Sequence, residues 1–137
     1  MVDEVIWTVE PIPDADHIFM RAHQIHFRNG ELQPGVFRQQ GNGMSVDWEK
    51  YATPQETRSR AAKPLENAVI AARAGRVGQT GDLRVLHDPD PEHLNRAHSN
   101  VLGLPVHGSP ELVEVRIKLL RISSVVLPLG SMDPKPL

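Results

Sequence analysis

The chain has 137 residues, of which 39% are apolar and 23% charged, with a net charge of −2 and a pI near 6.4. This is the size and make-up of one soluble globular domain, and the near-neutral balance excludes the overall basic footprint of a nucleic-acid binder. With no cysteine, disulfides, thiolate catalysis and cysteine-ligated zinc or iron–sulfur centres are excluded as well.

A local basic patch stays open, because Arg58, Arg60, Lys63, Arg73 and Arg76 lie close in sequence. The first residues lack the basic and long apolar regions of a signal peptide, and the longest nearly apolar run, Val125 to Leu129, is far too short to span a bilayer. The expected setting is the cytoplasm, without membrane association. Twelve prolines and ten glycines predict short elements joined by structured loops, since proline breaks helices and is excluded from central strands.

In chain order, Val5 to Glu10 alternates as a strand does, and Pro11-Ile12-Pro13 ends it. His17 to Arg28 reads as extended for at least part of its length, because the turn dipeptide Asn29-Gly30 follows it. Glu31 to Gln40 reads as a loop or edge segment with Val36-Phe37 as a core anchor. After the Gly41-Asn42-Gly43 turn, an extended Met44 to Trp48 puts Met44, Val46 and Trp48 on one face and Ser45 and Asp47 on the other.

Thr53-Pro54-Gln55-Glu56 has the residues of a capping box with proline at the first helical position, so a helix is predicted from Pro54 to about Ala62. Asn67 to Arg73 suits a buried strand or a short helix, and Asp82 to His87 alternates as a strand. Asp88-Pro89-Asp90-Pro91 is a rigid turn leading to Asn95 to Gly103, which enters a further strand. Ser109-Pro110-Glu111 starts a second helix with a stripe of Leu112, Val115, Leu119, Ile122 and Val126; strand-like alternation of Val113, Val115, Ile117 and Leu119 is the competing reading. Val125 to Leu127 is expected to be extended, and residues 130–137 form a frayed tail beyond a single domain of residues 1–129.

Seven histidines raise the question of a metal site. His23 and His26 have no second ligand pair at a standard distance, so a site requires His17, His87, His98 or Asp47 to converge with them. No metal and no cofactor is expected. Gly-x-Ser-x-Gly, Walker A and Gly-x-Gly-x-x-Gly patterns are absent from the sequence.

Asn95-Arg96-Ala97-His98 offers a histidine beside an asparagine and an arginine, a combination suited to proton transfer and anion contact. The plainer reading makes Asn95 a turn cap and has His98 donate to a backbone carbonyl. Ser45 and Asp47 share a strand face, and a histidine meeting them would complete a nucleophile or a polar cradle. The candidate catalytic residues are therefore His98, Ser45 and Asp47; the candidate ligand-binding residues are Arg21, His23, Asn95 and Arg96.

Several segments together carry a resemblance: Asp16-His17-Ile18-Phe19 with Arg21, Phe37, Met44-Ser45-Val46-Asp47, Thr53-Pro54-Gln55-Glu56-Thr57, His87-Asp88-Pro89 and Asn95-Arg96-Ala97-His98. Over about residues 14–125 the chain resembles a family of small uncharacterised bacterial proteins. In these a Leu-Ser-Val-Asp run precedes a Thr-Pro-Glu-Glu-Thr helix, and an Asn-Pro-Ala-His segment follows a proline turn. Met44, Gln55 and Arg96 replace the leucine, the first glutamate and the proline of that pattern. The resemblance implies one intact domain and transfers no reaction.

The expected architecture is a single α+β domain: a small, mostly antiparallel sheet with a short helix after Thr53 and a C-terminal helix. The expected function is a binding or protein-interaction module within a multi-protein system, with a protein partner and no nucleic acid. The alternative is a small hydrolase or transferase acting on a phosphate- or nucleotide-containing substrate. In that alternative His98 is the acid–base, Arg21 or Arg96 the anion clamp, and Ser45 or Asp47 the orienting group.

Overall fold

A computed structural model describes residues 6–130 and 136–137. Its centre is β1 (His17–His23), which alternates Ile18, Met20 and Ala22 against Phe19 and Arg21. β1 pairs along its whole length with β5 (Asn67–Arg73), whose small and β-branched residues are buried on both faces, as a central strand requires. β4 (Met44–Trp48), β6 (Arg84–His87), β7 (His98–Leu102) and β8 (Ser124–Leu127) complete a six-stranded sheet in the order β6-β7-β4-β1-β5-β8. Every pairing is antiparallel. A two-stranded hairpin of β2 (Phe27–Arg28) and β3 (Glu31–Leu32) turns through Asn29-Gly30, both at positive φ, as this dipeptide favours.

The expected α+β class is the observed one. α1 (Pro54–Ser59) starts at Thr53 with the full capping box, the Thr53 side chain accepting from Glu56 N–H and the Glu56 carboxylate accepting from Thr53 N–H. It ends earlier than the spacing predicts. Lys63 precedes Pro64 and is held out of helical φ/ψ. α2 (Ala74–Gly78) is a short helix that the sequence reading missed.

α3 (Pro110–Ile122) resolves the ambiguity near the C-terminus. Helical spacing buries Leu112, Val115 and Leu119 while leaving Val113 and Ile117 at the surface, a partition that strand alternation could not give. Val126 belongs to β8 and not to the helical stripe. No helix among the described residues is long and apolar enough to cross a membrane.

One expectation is corrected. Ile6 to Glu10 form no strand, and Val5 lies outside the described residues. Pro11 and Pro13 have no N–H to donate to a ladder, and the Glu10 N–H goes instead to the His87 side chain, at 3.0 Å. The segment runs as a strap whose Glu10 carboxylate takes Lys50 at 2.6 Å and the Tyr51 hydroxyl. Of the expected tail, residues 131–135 lie outside the described residues.

The sheet has two unlike faces. One is covered by α2, α3 and the Val36–Phe37 anchor, over a core that includes Ile18, Met44, Val46, Ile70, Val101 and Leu119. The other is covered only in part: α1 lies over β1, β5 and β8, where Phe19, Val69, Ala71, Val126 and Leu127 form a smaller core. Ser45 stays exposed on this face, and His98 and Asn100 are half-buried.

Asp47 joins the covered part to the open part. It is buried, and its carboxylate accepts from Thr57 Oγ1 at 2.7 Å and from Asn95 Nδ2 at 2.9 Å, with Arg60 Nε at 3.7 Å. One side chain thus ties α1 and the turn before β7 to the centre of the sheet. Asp47→Ala leaves the Thr57 hydroxyl and the Asn95 amide buried without this acceptor, and orphaned buried donors cost about 1–3 kcal/mol each. The expected loss is roughly 2–4 kcal/mol in urea unfolding; an unchanged midpoint would show that the carboxylate does not hold these elements.

Candidate functional site

The sheet is open at one place. β1 pairs with β4 only at Ile18↔Trp48 and Phe19↔Asp47, whereas β1 continues against β5 as far as His23↔Asn67. In the same register Met20 would next meet Val46 and Arg21 would meet Ser45, and neither pair forms. β4 instead follows β7, through Val46↔Ser99 and Met44↔Val101. Gly43 suits this: a Cβ there would lie 2.9 Å from Leu102 Cδ2 and 3.0 Å from the Val101 carbonyl oxygen, so any side chain would displace Leu102 and crowd the β7 backbone. The separation leaves a cleft of about 210 Å³ lined by Arg21, His23, His26, Arg38, Ser45 and Asp47 among others.

Ser45 and His98 meet beside this cleft. The register sets His98 opposite Asp47 and Asn100 opposite Ser45, so all four side chains belong to one face. Ser45 Oγ lies 2.8 Å from His98 Nε2. His98 Nδ1 lies 2.7 Å from the Asp88 carbonyl oxygen and 3.9 Å from the Asp88 carboxylate. A carbonyl can only accept, so in the neutral ring Nδ1 carries the proton and Nε2 offers its lone pair. The Ser45 hydroxyl then donates to Nε2, which is the arrangement of a serine paired with a general base. Asn100 Nδ2 donates to the Asp88 carboxylate at 2.7 Å, fixing the third member of the chain.

The plain and the chemical readings of the Asn95–His98 segment are thus both present in the structure. Asn95 caps its turn, its Oδ1 accepting from Ala97 N–H at 3.1 Å, and His98 does donate to a backbone carbonyl. That local bond orients the ring and leaves the opposite nitrogen for Ser45.

The other sequence candidates divide. Asp47 adjoins the pair in register, but its carboxylate is turned to Thr57 and Asn95. Arg21 lines the cleft and donates from one guanidinium nitrogen to the Thr57 carbonyl at 3.1 Å. His23 also lines it, yet both its nitrogens are engaged, with Ile25 N–H at 3.1 Å and Glu66 at 3.3 Å. Arg96 is elsewhere, its guanidinium 4.2 Å over the Tyr51 ring, with Glu10 at 4.0 Å.

His87 is a structural histidine. It is buried, accepts from Glu10 N–H and donates Nε2–H to the Arg96 carbonyl at 2.7 Å. Among the described residues, His17, His87, His98 and Asp47 do not gather into a metal-binding group. The group that does converge is Asp90, Glu92 and His93 on the proline turn, where a 2.7 Å contact between Asp90 and His93 accounts for the proximity.

Sequence reasoning missed Asp88, Asn100 and Arg38, and weighed His26 only as a metal ligand beside His23. Asp88 acts largely through its main chain, which no residue pattern reveals. Asn100 could have been found as the residue two after His98, on the same strand face. His26 and Arg38 reach the cleft from the two sides of the β2–β3 hairpin.

Neither Arg21, His26 nor Arg38 forms an ion pair with a described residue, while Asp47 and Glu66 are engaged as above. The cleft therefore carries the charges of Arg21 and Arg38, and the one acidic side chain among its described lining residues, Asp47, is turned to Thr57, Asn95 and Arg60. His26 senses positive charge: partial burial, then Arg38, His23 and Arg116, hold its pKa below the ordinary 6.5.

No protein-family model, no curated protein and no solved structure matches the chain. The functional reading therefore rests on the geometry of the site.

Arg38→Gln removes the largest of the charge contributions to His26 and leaves the burial in place. Its pKa is expected to rise part of the way toward the ordinary value in an NMR titration of the histidine ring protons. A titration identical to that of the parent protein would show that Arg38 does not charge the cleft.

Proposed function

We propose that the protein is a small hydrolase or transferase acting on a phosphate- or nucleotide-containing substrate, with His98 as the acid–base. The observation that carries this reading is the 2.8 Å contact from Ser45 Oγ to His98 Nε2, made by a ring that Asp88 orients, beside a cationic cleft. An interaction module needs a recognition surface but not a hydroxyl set against an oriented imidazole lone pair, and for that reason the catalytic reading is preferred.

In this reading Arg21 and Arg38 hold a phosphate of the substrate, since guanidinium groups match phosphate oxygens in charge and geometry. His26 adds a further donor when it is protonated. The Ser45 hydroxyl gives its proton to His98 Nε2 as Oγ attacks the electrophilic phosphorus, and the imidazolium returns that proton to the leaving oxygen. Water, or an acceptor hydroxyl, then reverses the sequence and frees Ser45. Asp88 keeps the proton on Nδ1 and stabilises the imidazolium.

The test is a panel of nucleoside mono-, di- and triphosphates, dinucleotides and simple phosphate esters, followed by phosphorus NMR. Turnover of at least one of them is expected. Ser45→Ala and His98→Gln should each lower it by roughly 100-fold or more, as loss of acid–base catalysis does, and Arg38→Gln should raise KM more than it lowers kcat. Circular dichroism of the variants would confirm that they fold. The reading fails if the parent protein turns over no member of the panel, or if both dyad variants keep full activity.

A further inference from the structure

The arginines at residues 58–76 have unlike fates. Arg58 is buried and reaches the Pro128 carbonyl, and Arg60 turns to Asp47. Arg73 and Arg76 do neither. Arg73 ends β5, Arg76 lies on α2, and Arg121 comes from the last turn of α3; all three are exposed and line one cavity of about 340 Å³.

None of the three guanidinium groups makes a hydrogen bond or ion pair with a described residue. His17 also lines the cavity, and the nearby acid Glu49 is engaged with it, accepting from His17 N–H at 2.8 Å with Nδ1 at 3.6 Å. Three like charges from three separate elements thus surround one concavity, and no acidic side chain is among its described lining residues. The rest of the wall is apolar, with Ala71, Ala72, Ile122, Val126 and Leu137, plus the Ser124 hydroxyl as a neutral donor.

A volume of a few hundred cubic ångströms is that of a small-ligand site. Arginine supplies paired donors in a fixed fork suited to phosphate oxygens, and three of them exceed what one monoanion can use. β1 separates this cavity from the Ser45 cleft. His17, at the first residue of β1, lines the former, while Met20, Arg21 and His23, toward its end, line the latter.

We infer that Arg73, Arg76 and Arg121 form a second anion site that binds the diphosphate group of a small molecule. The phosphates sit among the three guanidinium groups, and the apolar wall receives whatever the diphosphate carries. The site does not depend on the chemistry proposed for Ser45 and His98.

The test is an amide NMR titration of the full chain with inorganic pyrophosphate and, separately, with ADP. Shifts are expected at Ala72, Arg73, Ser124 and their neighbours. Arg73→Gln and Arg121→Gln should each weaken the affinity for this site by roughly tenfold, as loss of a charge-assisted pair does, while Arg21→Gln and Arg38→Gln leave it within twofold. Tighter binding of ADP would mark the apolar wall as a nucleoside subsite, and equal binding would mark the diphosphate alone as the ligand; either supports the site. Shifts confined to the Ser45 cleft, affinity unchanged in both the Arg73 and Arg121 variants, or no binding of either probe would overturn it. All four positions are exposed, so the variants keep their fold.

Discussion

The site depends on one buried carboxylate. Asp47 stands at the last rung that β4 shares with β1, and beyond it the sheet opens. Its two oxygens are divided between Thr57 on α1 and Asn95 in the turn that leads to β7. Through Thr57 it sets the carbonyl on which Arg21 rests; through Asn95 it sets the path that brings His98 to Ser45. A buried carboxylate is costly unless its lone pairs are satisfied, and here satisfying them fixes two separate walls of a cleft. Asp47 therefore acts as the frame of the site, and Ser45 and His98 supply its chemistry.

The same economy marks His98. A histidine held by a backbone carbonyl is an ordinary structural feature, and His87 shows how it looks when both nitrogens are consumed. His98 differs at one nitrogen. Its strand runs beside β4 in a register that sets Ser45 on the same face, where α1 does not reach, so its second nitrogen meets a hydroxyl at a partly open surface. The distinction between a structural and a chemical histidine here is a matter of which neighbour the register supplies.

That also explains what could be read from the sequence. The capping box at Thr53, the Asn29-Gly30 turn, the alternation of Met44 to Trp48 and the core anchors Val36 and Phe37 are local, and all appear in the structure. Ser45, His98 and Arg21 were legible as residue types, but Ser45 and His98 are 53 positions apart and meet only through a strand pairing that no local pattern specifies. The failure at Ile6 to Glu10 has the opposite cause: the alternation was present, but the bonding partner of Glu10 N–H was a side chain. The Asp88 carbonyl belongs to the backbone and leaves no trace in residue identity, and the cleft exists because a ladder stops, which periodicity cannot express. In sequence Arg96 stands between Asn95 and His98, whereas in space its neighbour is the Tyr51 ring.

His98 presents a bare Nε2 to Ser45 if its ring proton sits on Nδ1, and the position of that proton can be read without any substrate. A long-range proton–nitrogen correlation spectrum of the 15N-labelled protein, recorded with the imidazole neutral, reads the tautomer directly. The expected result is a proton on Nδ1 and an unprotonated Nε2, a state that persists in Ser45→Ala because the Asp88 carbonyl enforces it. A proton on Nε2 would mean that the ring donates to Ser45, and the dyad would not be a base.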